Sequence, residues 1–200
     1  LAHELRQGTA VFEGAQGVLL DEWRGFHPHT TWSTCTPEPA LAFLKRCGFD
    51  GPVHRLGVLR TYLTRHGEGP FPTEDPELHL PEPDADDGWP RPFRVGWPDL
   101  VLARYALAAC GGIDGLVVTH LDRMSGTWKA ATAYDAGRIV ELRAGDLAHQ
   151  ERLGKARAKV VPVYTELSPE RFIPWLEEAL QVRVWLESRG PTANDKRALL

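Results

Sequence analysis

Short apolar, strand-like runs alternate with helical stretches along this chain, and that alternation restricts its fold more than any other feature. Thr9–Glu13, Leu56–Leu63, Ile113–Thr119, Thr127–Tyr134, Arg138–Leu142, Val160–Tyr164 and Val182–Leu186 read as strands from their β-branched and aromatic content. Thr36-Pro37 is a cap-and-first-turn signal for a helix through Leu41, Leu44 and Lys45 that Gly48 ends. Pro98 opens a helix through Cys110, stopped by Gly111-Gly112, and Ser168–Gln181 reads as a further helix although it contains Pro174. Leu1–Gln7 reads as the tail of a helix with Gly8 as its stop. Such alternation predicts an α/β fold with a mixed, mostly parallel sheet flanked by helices. Ligands of such sheets gather at the loops that follow strand carboxyl ends.

At 200 residues the chain supports one domain with a genuine core. A net charge of −4 without a basic run argues against a nucleic-acid surface. Every apolar run falls well short of the roughly 18–20 residues that span a bilayer, and no leader-like pattern opens the chain, so a cytoplasmic location is expected. The three cysteines, Cys35, Cys47 and Cys110, lack metal-type spacing and read as reduced thiols. From Pro70 to about residue 96 the chain is rich in Pro, Asp and Glu, which predicts a long surface loop.

The stretch from Val11 to Asp21 carries the clearest functional signal. A short apolar run enters a turn in which Gly14 and Gly17 flank Gln16. Glycines there let the backbone approach a ligand and take dihedrals that a Cβ forbids. Gln16 can donate and accept at once, which suits the edge of a nucleobase. Four further segments accompany it: Thr64–Glu74, Arg91–Asp99, Leu116–Asp122 and Ser188–Pro191. In this order and spacing they resemble the C-terminal half to two-thirds of adenylosuccinate synthetase. The runs from Glu13 to Asp21 and from Gly69 to Glu74 are similar to that family almost letter for letter, and the resemblance covers nearly all of the chain.

The resemblance implies a P-loop-type fold, incomplete here, with residues 1–200 as the C-terminal part of the family's domain. It implies a ligase that joins C6 of inosine monophosphate to the amine of aspartate at the expense of GTP, with Mg²⁺, through a 6-phosphoryl intermediate. By resemblance Gln16 acts at the reacting oxygen of the purine, Leu20 lies against the base, and Thr31 offers a hydroxyl to the 5′-phosphate. Asp122 would accept from N1–H and the 2-amino group of guanine, a pair that adenine lacks. His120, Ser188, Gly190 and Pro191 fall at the family's other guanine-contacting positions. The bland alternatives are a loop amide for Gln16 and turn-forming residues for Thr31, Asp122 and Ser188.

Departures from the family concentrate at the amine pocket. The family's Thr-Thr-Gly-Arg loop aligns with Gly88-Trp89-Pro90-Arg91. Arg91 remains, suited to a carboxylate and also placed near the nucleotide, while Trp89 and Phe93 would make the pocket drier. His66 stands for a usual valine near the ribose, and Trp23-Arg24 for a usual Asp-His pair. Either the acceptor amine or the nucleotide differs from the standard one, or the loop shifts and other groups hold aspartate.

The family's N-terminal Gly-Asp-Glu-Gly-Lys-Gly loop, which cradles phosphates and holds Mg²⁺, has no counterpart in these residues. Phosphoryl transfer is chiefly positioning and charge neutralisation, so no metal is assigned to this chain. The expectation is one part of a larger or split enzyme, paired with a companion chain or a second copy; the alternative is a relative that only binds nucleotide or a partner. His27-Pro28-His29 reads as solvated loop histidines, His54, His79 and His149 have no constellation, and Asp84, Asp86 and Asp87 read as a solvated loop tip. Trp175, Leu176 and Leu180 share a helical face and read as core.

Overall fold

A computed structural model describes residues 5, 7–80, 93–137 and 141–199. In chain order the helices are α1 (Glu38–Arg46), α2 (Leu100–Ala109), α3 (Leu147–Arg157) and α4 (Pro169–Leu180). The strands are β1 (Leu56–Arg60), β2 (Leu63–His66), β3 (Phe93–Gly96), β4 (Gly115–Thr119), β5 (Trp128–Tyr134), β6 (Pro162–Leu167), β7 (Val184–Ser188) and β8 (Lys196–Ala198). A four-stranded sheet runs in the order β1-β4-β7-β8, parallel across its first two pairings and antiparallel at β8. The expected mixed, mostly parallel sheet is therefore present. Two antiparallel ribbons, β2–β3 and β5–β6, stand beside it.

β4 is a continuous apolar run because it lies between two parallel neighbours, with Leu116 and Val118 buried. Against it pack Leu100 of α2, Trp128 of β5 and the apolar stripe of α4, formed by Phe172, Ile173, Leu176 and Leu180. Trp175 is half-buried on the same core, as its spacing predicts. The opposite face of β1 is uncovered: Leu56 and Val58 are 48% and 67% exposed. A smaller cluster of Phe26, Leu102, Tyr105 and Leu153 joins the loop after residue 18 to α2 and α3.

Several expectations change. Leu56–Leu63 is not one strand. Thr61 and Tyr62 are buried at its middle, Trp128 donates its indole N–H to the Thr61 carbonyl, and the chain leaves the sheet there to pair β2 with β3. Thr9–Glu13 forms no strand and lies exposed, because no described strand sits beside it to take its ladder bonds. Thr36 caps nothing: α1 begins after Pro37, and the Thr36 hydroxyl is buried without a partner. The region expected as a long loop to about residue 96 holds β3 from Phe93; residues 81–92, including Asp84, Asp86 and Asp87, lie outside the described residues. Of the strand expected over Arg138–Leu142, Glu141 and Leu142 are irregular and the rest lies outside the described residues, as does nearly all of Leu1–Gln7.

Helix α3 had no apolar periodicity to announce it. Its buried positions are His149, Gln150, Leu153, Gly154 and Arg157. Hydrogen bonds settle that face: Gln150 donates to the carbonyls of Trp23 and Arg143, and the His149 ring lies 2.8 Å from the Glu141 carbonyl. Asp146 caps it, accepting from the His149 amide at 2.9 Å. All three cysteines are free thiols.

Candidate functional site

The loop of residues 16–35 is organised by one carboxylate. Asp21 is fully buried and accepts from the amides of Trp23 and Arg24 at 2.9 Å each and of Cys35 at 2.7 Å. Its charge is also 3.7 Å from the Arg24 guanidinium. These bonds fold the chain back on itself, so that the Thr31 amide donates to the Leu20 carbonyl at 2.8 Å. Ser33 donates its hydroxyl to the Gln16 side-chain oxygen at 3.3 Å. Gln16, Leu20 and Thr31 thus belong to one folded loop. The sequence reading gave Asp21 no role; a lone acid next to two apolar leucines was the available signal.

The glycines of that turn behave differently from expectation. Gly14 and Gly17 are not in the left-handed region, and a Cβ at either would meet nothing within 4 Å. The left-handed residue is Gln16, with φ 57°. A non-glycine residue pays strain for that conformation, and such residues concentrate at functional sites.

His120 is the second case, with φ 63° at the carboxyl end of β4. Its carbonyl accepts from the Thr61 hydroxyl at 2.9 Å, its ring nitrogen Nδ1 lies 2.9 Å from the Thr119 hydroxyl, and its ring meets Tyr62 edge-on at 5.3 Å. Leu121, buried in the core, anchors the short turn that exposes Asp122. The Arg123 Nε lies 3.2 Å from Asp122 Oδ2, an ion pair at an angle too poor for a hydrogen bond. Beside it, at the end of β7, Ser188 is buried and donates to the Gly190 carbonyl at 3.3 Å. A Cβ on Gly190 would come within 2.7 Å of the Asp195 carboxylate, so packing inside the turn accounts for that glycine. Pro191 follows it, exposed. His120, Asp122, Ser188, Gly190 and Pro191 therefore share the carboxyl edge of two adjacent parallel strands, as expected of ligand loops.

At the third segment His66 and Phe93 are directly paired across β2 and β3, their rings 4.8 Å apart and edge to face. Two of the departures noted in the sequence thus form one contact. Trp89 and Arg91 lie outside the described residues. Arg94, which the sequence reading passed over, knits this region together. Its guanidinium takes the Glu74 carboxylate in a two-point ion pair and donates to the carbonyls of Gly67 and Gly69 at 3.1 and 2.9 Å. That pairing holds Glu74 below the usual carboxylate range and raises Arg94.

Two cavities, of about 720 and 410 Å³, open on the surface. Neither is lined by Gln16, Leu20, Thr31, Asp122 or Ser188; Trp23 and Arg24 line the smaller one. His27 and His29 line the larger and are half-buried, not solvated, with the His27 ring 2.8 Å from the Glu22 carbonyl. Among the described residues no group of three or more His, Cys, Asp or Glu side chains is arranged to hold a metal ion. No described helix is long and apolar enough to cross a membrane.

A parallel sheet with loops at its carboxyl edge, one of them carrying the left-handed His120, places the chain among α/β proteins that assemble their sites from strand-following loops. The adenylosuccinate synthetase family model matches residues 1–195, and the chain belongs to that family. It is 37% identical to adenylosuccinate synthetase from Thermus thermophilus, over 92% of this chain and 47% of that protein. It is 39% identical to the enzyme of the same name from Thermotoga maritima, over 96% of this chain and 49% of that one. The chain spans about half the length of these curated relatives. Its fold is similar to fully ligated adenylosuccinate synthetase from Plasmodium falciparum, with a TM-score of 0.72 and 23% identity over 94% of this chain and 49% of that one. It is also similar, with a TM-score of 0.54 and 17% identity over 92% of this chain and 45% of that one, to cyanophage S-2L succinoaminodeoxyadenylate synthetase, solved bound to dGMP and dATP as an energy donor.

Proposed function

We propose that this chain supplies the purine-contacting and guanine-contacting loops of a GTP-dependent ligase. The reaction forms a C–N bond between C6 of inosine monophosphate, or a related purine nucleotide, and an amino acid amine. Family membership supports it, and the observation that carries it is the grouping of Gln16, Leu20 and Thr31 in one folded loop. In this reading Gln16 holds the purine edge where the 6-oxygen is phosphorylated and displaced. Leu20 lies against the base, and Thr31 donates to the 5′-phosphate. Asp122 reads N1–H and the amino group of guanine, with His120, Ser188, Gly190 and Pro191 shaping the space around the base.

GTP binding fits the residues present, since Asp122 Oδ1 has no bond among the described residues and its turn is exposed. Among the described residues no donor set for Mg²⁺ is present. The loop that handles phosphates belongs to the part of the relatives' length that these residues do not cover; it comes from a companion segment or chain, with self-association of the assembled enzyme. Residues 1–200 act as the C-terminal part of that unit.

The His66–Phe93 contact favours an altered acceptor side, where Arg91 takes a carboxylate beside the apolar Trp89 and Phe93. The reading is tested by phosphate release from GTP with Mg²⁺, inosine monophosphate and a panel of amino acids. The chain is assayed alone and with a companion polypeptide carrying the phosphate loop. Turnover only with the companion, with aspartate used poorly, is the expected result. Silence in both assays leaves a relative that binds without catalysing, and normal aspartate kinetics removes the altered pocket.

A further inference from the structure

The larger cavity lies between the His27–His29 turn of the 16–35 loop, the Gly69–Glu74 loop and the end of α3, and Gln16, Leu20, Thr31, Asp122 and Ser188 do not line it. Phe71, the neighbouring prolines and Val160 give it apolar walls, and Arg94, Lys155 and Arg157 give it charge. Two of these cations are matched within the chain. Arg94 is paired with Glu74, and Lys155 with Glu151 at 2.6 Å.

Arg157 has no ion-pair partner among the described residues, although its guanidinium also interacts with the Tyr134 hydroxyl. It is only 4% exposed, no carboxylate lies within ion-pair distance of it among the described residues, and its Nε has no hydrogen-bond partner. Its guanidinium lies 4.0 Å over the Phe26 ring, a contact that compensates part of the lost hydration. The acid in its neighbourhood, Asp99, is spoken for: it accepts from the Tyr134 hydroxyl and caps α2 through the Leu102 amide. Burial also raises Asp99, which weakens it as a counter-charge. Nearby, Arg65 spends its guanidinium on the Glu68 carbonyl, and its pKa is lowered to about 10 by burial and by the charges of Arg157 and Arg94. Positive charge is in excess here, and a buried cation without an ion-paired carboxylate is costly to a fold.

We propose that this cavity binds a small oxyanion, a phosphate or carboxylate head group, with Arg157 as the charge beneath it and Lys155 and His29 at its mouth. An anion there gives Nε its missing acceptor and neutralises the excess, while the proline and Phe71 walls accommodate an apolar body.

Inorganic phosphate titrated calorimetrically at low ionic strength tests it. Thr31→Val is used as the background, because Thr31 is the hydroxyl assigned to a nucleotide phosphate. Saturable single-site binding is expected. It should weaken about tenfold in Arg157→Met, which exchanges a charge-assisted bond for an apolar chain. Lys155→Gln, on a side chain 73% exposed and therefore neutral for folding, should weaken it about threefold. Succinate in place of phosphate tells a carboxylate ligand from a phosphate one, and tighter binding of either supports an oxyanion site. Absence of saturable binding by both anions, or affinity unchanged in both Lys155→Gln and Arg157→Met, overturns the proposal.

Discussion

The loop of residues 16–35 and the turns that close β4 and β7, to which the proposal gives base contacts, rest on unlike supports. The first is irregular backbone held by a single buried carboxylate, Asp21, whose three amide bonds decide where Gln16, Leu20 and Thr31 stand. The second continues straight from parallel strands, so sheet register places His120, Asp122, Ser188 and Gly190, and side chains only trim the turns. A loop hung on one group is sensitive to one substitution. A turn carried by a sheet tolerates change at its tip and transmits the effect to ligand alone.

That contrast makes graded predictions. Asp21→Ala strands three amide donors and should cost about 3 kcal/mol or more, each unmet bond being worth about 1–3. Urea unfolding measures it, and a loss below about 1 kcal/mol would mean that the loop does not hang on this carboxylate. Asp122→Asn should leave unfolding unchanged yet weaken GTP and GDP by about 1–3 kcal/mol, seen by calorimetry. Equal affinity of both forms would remove Asp122 from any guanine site.

A smaller effect belongs to Glu74→Gln at the Arg94 pair, under about 1 kcal/mol because the pair is partly solvated. Its pH signature has a definite sign. Glu74 is held below its ordinary value of 4.5, so its stabilisation is complete above that pH and is lost as pH falls through the lowered value. Unfolding followed from pH 6 downward should show wild type converging on the variant; a constant gap would detach the stabilisation from Glu74 ionisation. Smallest is Trp32→Ala, at a side chain 98% exposed, which should shift stability by no more than about 0.5 kcal/mol by the same urea measurement. A larger change there would show that the loop depends on more than Asp21.

The residues that face ligands in the proposal were legible as motifs because their neighbours in sequence fix them: Gly14-Ala15-Gln16-Gly17, Thr119-His120-Leu121-Asp122 and Ser188-Arg189-Gly190-Pro191 each sit on a few consecutive positions. Asp21 and Arg94 were not legible as organisers, since their partners lie as far as 14 and 27 residues away along the chain. The role of glycine was misread for a related reason. Gly14 and Gly17 were expected to supply the unusual dihedral, and the surrounding bonds assign it to Gln16 instead.

Local pattern was sufficient for α4, whose apolar residues repeat at the helical period, and for β4 and α2, which are apolar nearly throughout between turn signals, because burial of apolar surface is the dominant stabilising term. It also sufficed for the resemblance to the family, which is legible in short strings of residues. Helix α3, the escape of the chain from the sheet at Thr61-Tyr62, the His66–Phe93 contact and the surroundings of Arg157 required the folded chain. Each depends on hydrogen bonds, ring contacts or charges between residues distant in sequence, and no periodicity of the linear chain encodes such pairings.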